Sequence, residues 1–254
     1  MNPLLVLAPV GMIIVGLIFM VGWKLRKKIS FKLFLAGGLI WAAAFLPKIA
    51  LDYTFTPVLN EWLSTYSLTG MLIIIGAYFG IRTGILECGL TYLAFSKSRL
   101  KASSLDEAVA FGVGFGCFEA ILLAIPSLIQ ILVFIFNPEL LSSLPAQQRM
   151  LLEIQLNQPV LIVPASIIER FFTILIHIFT VLLVFLSIKQ GRVSFFLAAF
   201  LYKAFLDGVI PYIHVVFRPT ISLAGVYMAE IPVIAMGVAA LIGIQLIRRS
   251  KINL

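Results

Sequence analysis

Apolar residues fall into seven long runs separated by short polar tracts, over residues 4–23, 32–51, 68–96, 104–136, 160–188, 195–217 and 222–247. Each run spans about 20 residues or more, the length an α-helix needs to cross hydrocarbon. The pattern predicts an all-α fold, a polytopic membrane helical bundle of about seven transmembrane helices forming a single integral membrane domain over 1–254. Ser104 followed by Glu107 predicts a capping box that opens the fourth run, and Pro126 predicts a kink inside it, because proline removes a backbone donor. The tract 52–67 reads as an external segment with Trp62 and Tyr66 as interfacial anchors, and span two is expected to end near Pro47 and Lys48. Between the fourth and fifth runs, PAQQRMLLEIQ predicts an amphipathic stretch lying along the membrane surface.

Charge sharpens the topology. Of 254 residues only 12% are charged and 61% are hydrophobic, and the formal net charge is +8. That excess excludes a nucleic-acid partner as its cause, because the basic residues lie in short tracts at the ends of apolar runs. Of the 19 Lys and Arg, thirteen fall in four segments that then read as cytoplasmic: Lys24 to Lys32, Lys97 to Lys101, Lys189 with Arg192, and Arg248 to Lys251. Three fall in external segments (Lys48, Arg149, Arg218) and three inside spans (Arg82, Arg170, Lys203), so the N-terminus is expected outside and the C-terminus in the cytoplasm. The first run continues into a basic stop without a small-residue cleavage site, so its helix is expected to stay in the mature protein. Cys88 and Cys117 both lie inside spans and read as buried thiols rather than a disulfide framework.

The polar residues inside the spans carry the candidate chemistry. GVGFGCFEA, residues 112–120, removes side chains at Gly112, Gly114 and Gly116, so that a neighbouring helix can approach the backbone beside Glu119. A carboxylate at that depth costs roughly 2.5 to 3.5 kcal/mol and must be offset. At 1.5 Å per residue, Glu87, Glu119, His177, Lys203 and Asp207 all lie roughly 13 to 20 Å from the cytoplasmic ends of their spans, which points to one shared pocket. Lys203 and Asp207 are four apart and can pair along one face. Arg170 shares a face with His177 and is expected to neutralise a carboxylate, Glu169 or Glu230 being nearest in depth. One imidazole with two carboxylates can hold zinc and leave a position for water, and Cys88 or Cys117 can add a thiolate; as small apolar residues, both cysteines also suit a packed core.

These blocks resemble the YhfC family of intramembrane metalloproteases, distantly similar to PrsW and to the CAAX-processing proteases. The likeness covers AGGLIWAAAF, GILECGLTY, SLDEAVAFGVGFGCFEA, ERFFTILIHIFTVLLV and LYKAFLDG in that order, nearly the whole chain. It implies an integral protein of a prokaryotic plasma membrane in which Glu87 and Glu119 stand at catalytic positions and Glu119, His177 and Asp207 at metal positions. Arg170, Lys203, Glu169, Cys88 and Cys117 stand close to them. The chain departs from the family pattern where Cys88 replaces a second acid, Thr91 an arginine, Phe115 a histidine, and Lys203 the histidine of an HxxxD block. A protonated lysine cannot ligate a metal, and its charge opposes a second cation.

The leading expectation is therefore a catalytically degenerate relative that acts as a membrane-embedded binding or assembly subunit, with the lipid bilayer around it and a membrane protein or peptide as partner. An active zinc-dependent protease is the alternative, so the cofactor is either none or Zn. A proton-coupled transporter is the third reading, opposed by the lack of an inverted repeat.

Overall fold

A computed structural model describes residues 1–219 and 222–250, so the expected basic stop at Lys251 lies outside the described residues. Among the described residues there is no strand, and seven helical segments are long and apolar enough to cross a membrane. The helices are α1 (Leu7–Lys27), α2 (Phe31–Leu63), α3 (Leu68–Thr83), α4 (Gly89–Lys97), α5 (Leu105–Phe136), α6 (Ala146–Leu156), α7 (Val163–Gln190), α8 (Val193–Gly208), α9 (Ile210–Phe217) and α10 (Leu223–Arg249). A π-helical turn, Gly84–Cys88, joins α3 to α4 without a break in the span.

Helix α7 is the axis of the bundle. Thr173 to Ile178 and Thr180 to Ser187 are buried without interruption, so every face of its inner half is covered by other helices. Helices α1, α5, α8 and α10 pack against it, and α2 lies against the far side of α5. The capping box forms as expected, Ser104 and Glu107 each accepting from the other's backbone amide, and α5 runs unbroken past Pro126. The amphipathic stretch is helical as α6, with Leu156 packed against Leu5, Ile131 and Leu141.

Two expected boundaries move. Span two does not end near Leu51: α2 continues through Pro47 and Pro57 to Leu63. Its polar residues read as loop but are satisfied on a helix, since Thr54 and Thr56 donate back to the carbonyls of Ala50 and Leu51, and Asp52 accepts from Arg82. Lys48 is therefore not external, and its side chain points into the bundle. Span six is interrupted at Val209 between α8 and α9, where Pro211 supplies no amide for the helical ladder.

The alternate glycines serve two neighbours at once. A Cβ at Gly112 would lie 2.8 Å from Ile178 Cα and one at Gly116 3.0 Å from Ile174 Cα, so both admit α7. Gly114 faces the other way, against the Phe34 backbone of α2, and Gly37 of α2 returns the contact against the Phe111 carbonyl. These close approaches put Trp41 of α2 and His177 of α7 on either side of Glu119. A Gly37→Ala variant should lose about 3 kcal/mol, because its methyl meets a backbone carbonyl that cannot rotate away. Denaturant titration in mixed micelles reads that loss, and an unchanged midpoint would show that the α2 to α5 contact can slide.

Candidate functional site

The deep carboxylates meet at one imidazole. His177 is 1% exposed, with Nε2 2.8 Å from Glu119 Oε2 and Nδ1 3.9 Å from Glu87 Oε2. The Trp41 indole also donates to Glu119 Oε2, at 2.8 Å, and Arg170 donates to Oε1 at 2.9 Å. A carboxylate in its ionised form only accepts, so with Glu119 ionised this contact is made by a proton on Nε2, while Nδ1 faces Glu87.

Glu87 is enclosed by lysines. Lys48 donates to Oε1 at 2.5 Å, and Lys203, 3% exposed, forms an ion pair with Oε2 at 3.0 Å. Lys203 thus pairs with Glu87 across the helix interface and not with Asp207 on its own helix. Asp207 instead accepts from Thr83 and lies 3.8 Å from Lys48. The antiparallel register of α3 and α8 explains this, since Glu87 sits opposite Lys203 as Thr83 sits opposite Asp207. An interhelical partner held by packing displaces the looser pair four residues apart.

Arg170 finds one of its two expected partners, Glu169, and adds a carboxylate on another helix. It binds Glu119 on α5 together with its neighbour Glu169, whereas Glu230 on α10 keeps a buried oxygen without a hydrogen-bond partner. The cysteines separate: Cys88 lines the space beside Glu87 and His177, while Cys117 turns to α1 and donates to the Gly16 carbonyl at 3.0 Å. Lys48, Trp41 and Thr83 join the cluster although the polar pattern did not single them out. For two of them a signal existed, because Gly37, Trp41, Ala44 and Lys48 repeat at spacings of four, three and four along one face of α2.

Two spaces adjoin the charges. Glu87, Cys88, Thr91, Phe115, His177, Thr180 and Lys203 enclose a hole of about 10 Å³, the size of a single water site. A wider cavity of about 390 Å³ lies between α2 and the α3, α8 and α9 group, lined by Asp52, Thr56, Phe79, Arg82, Asp207 and Ile210. It approaches the cluster from the Asp207 end, where exposure falls from 24% at the Asp207 side chain to 12% at Lys48 and 6% at Glu87.

Zinc needs about four donors converging on one point. Here Glu87 and Glu119 lie at opposite edges of the imidazole, Nε2 is committed to Glu119, and among the described residues no three His, Cys, Asp or Glu side chains are placed to hold a metal ion. Lys48, Lys203 and Arg170 already engage the carboxylate oxygens that would coordinate it. The residues as arranged do not fit zinc. What they can do is neutralise one another: the four charged side chains of the inner layer, Lys48, Glu87, Lys203 and Glu119, and the imidazole form one connected network closed by Arg170 and Glu169.

Residues 11–235 match the family described as YhfC intramembrane metalloprotease. Neither the curated proteins nor the solved structures yield a match. With the match running from α1 into α10 and taking in every member of the buried network, the chain belongs to the YhfC intramembrane metalloprotease family.

Proposed function

We propose that this chain is a catalytically degenerate member of its family and works as a membrane-embedded binding or assembly subunit. One observation carries the reading: of the four oxygens of Glu87 and Glu119, the acids at the family's catalytic positions, three accept hydrogen bonds from a lysine, an arginine, an indole or an imidazole, and the fourth, Glu87 Oε2, has the Lys203 ammonium 3.0 Å away without a hydrogen bond. A carboxylate so committed is a poor metal ligand and a poor base for water. The hole beside it, about 10 Å³, also gives a peptide bond no room. Binding of a membrane protein or peptide partner fits the larger cavity between α2 and α9, whose wall combines Asp52, Arg82 and Asp207 with Phe79 and Ile210.

The same reading makes residues 1–254 one integral domain of a prokaryotic plasma membrane, N-terminus outside. With Lys48 reassigned to the interior, only Arg149 and Arg218 of the basic residues remain on the outer side, which strengthens the charge bias.

Metal analysis tests the reading directly. Protein purified in detergent, incubated with zinc and dialysed against a weak chelator should retain far less than one zinc per chain. Neither it nor a Glu119→Gln variant should cleave transmembrane peptides in liposomes. Tight equimolar zinc, or cleavage that disappears in the variant, would establish the active protease instead.

A further inference from the structure

A cavity of about 380 Å³ opens far from the buried network, at the membrane boundary where α4 ends, α7 ends and α8 begins. Its wall combines polar and apolar groups: Ser96, Lys101, Ser187 and the Gly191 turn with Tyr92, Ile188, Val193 and Phe196. Tyr92 and Phe196 meet edge to face at 5.4 Å and close the inner wall, while Val193, 68% exposed, continues the apolar surface outward. Gly191 ends α7 at φ +65 with open space around its Cα, so the turn presents backbone rather than a side chain to the cavity.

Charge distinguishes this cavity from an ordinary lipid-facing groove. Lys97, Arg99 and Lys101 precede α5, Lys189 and Arg192 flank Gly191, and among the described residues none of the five pairs with a carboxylate. Elsewhere on the same membrane face acids are within reach, as where Asp106 takes Lys27 at 2.9 Å. A concave site that sets a lysine and two hydroxyls beside tyrosine, phenylalanine and aliphatic side chains, with four further cations on the adjoining turns, matches an anionic amphiphile.

We propose that this cavity binds one acidic phospholipid, its phosphate against Lys101, Ser96 and the Gly191 turn and its acyl chain along Val193 and Phe196. The bound lipid ties together three segments that each lead to the buried network: α4 to Glu87, α7 to His177 and α8 to Lys203, all roughly 13 to 21 Å deeper. Between headgroup and network lies the packed layer of Cys88, Leu183, Val184 and Ala199, which lets the clamp act through packing. Lipid occupancy should therefore raise the thermal stability of the whole bundle. The inference does not depend on whether the buried network is catalytic.

Delipidated protein in a neutral detergent, titrated with phosphatidylglycerol, phosphatidylcholine or inorganic phosphate, tests it by native mass spectrometry and thermal denaturation. One phosphatidylglycerol should be retained per chain with a rise in Tm of several degrees, and neither phosphatidylcholine nor free phosphate should reproduce it. Lys101→Ala should weaken retention about fivefold. Lys32→Ala, which removes an exposed charge from the start of α2, should leave retention unchanged, and Ser96→Trp, which fills the cavity with every charge in place, should abolish it. Equal losses for Lys32→Ala and Lys101→Ala, or retention by folded Ser96→Trp, would reduce the effect to general surface attraction and overturn the site. A Tm rise with phosphate alone would overturn the lipid and leave a free-anion site.

Discussion

Replacing Phe115 and Lys203 together by histidine should give a chain that binds about one zinc per molecule, where the unaltered chain is expected to retain far less. Both side chains line the small hole that also touches Glu87 and His177, and the Phe115 ring lies 4.9 Å from the imidazole, centroid to centroid. The exchange does three things at one place. It removes the ring that fills the space next to His177, withdraws the lysine cation from Glu87 Oε2, and adds two neutral imidazoles to the imidazole and carboxylate already there. Four donors then line one volume, whereas among the described residues no three His, Cys, Asp or Glu side chains are at present placed to hold a metal ion. Elemental analysis after dialysis against a weak chelator reads the outcome. Lys203→Met with Phe115 intact serves as control, since it removes the same charge without supplying a ligand and should stay zinc-free. If the double variant also stays zinc-free, the loss of metal binding does not reside at these two positions, and the Lys48 contact or the Nε2 commitment to Glu119 becomes the controlling feature.

How much of this was legible in the sequence depends on the length scale. The seven spans were, because a 20-residue apolar run has few other ways to satisfy its backbone in lipid. The meeting of Glu87, His177 and Lys203 was also legible, since ionisable groups placed at one depth have to find each other. Partner choice was not. Lys203 prefers Glu87 to Asp207, and Arg170 prefers Glu119 to Glu230, because both pairings follow the register of packed helices, which residue spacing along one helix does not encode. Lys48 lies in a stretch that misleads for another reason: Pro47, Asp52, Thr54, Thr56 and Pro57 carry the composition of a loop, yet α2 runs through both prolines, and Asp52, Thr54 and Thr56 close hydrogen bonds within the helix or to Arg82. The spacing of Gly37, Trp41, Ala44 and Lys48 along one helical face points to both donors, where the local composition points to a loop.

The charge network makes its own demand on stability, and a double-mutant cycle separates that demand from any catalytic one. Glu87→Gln leaves Lys203, 3% exposed, without its ion pair and leaves Lys48 with only Asp207 at 3.8 Å. Removing one partner of a buried pair typically destabilises by about 3 to 5 kcal/mol, and that loss is expected here. Lys203→Met should be milder, at about 2 kcal/mol, because Glu87 keeps Lys48 at 2.5 Å and methionine fills the apolar part of the lysine's space. The double variant Glu87→Gln/Lys203→Met should then be more stable than Glu87→Gln alone by about 2 kcal/mol, since no cation is stranded in the bundle. Unfolding in mixed micelles followed by tryptophan fluorescence measures all three. A carboxylate retained only to activate water has no reason to be rescued by loss of a lysine, so recovery of stability in the double variant assigns Glu87 to structure. Strict additivity of the two single losses would mean that Lys203 and Glu87 do not depend on each other, and the reading of the network as mutually neutralising charges would fail with it.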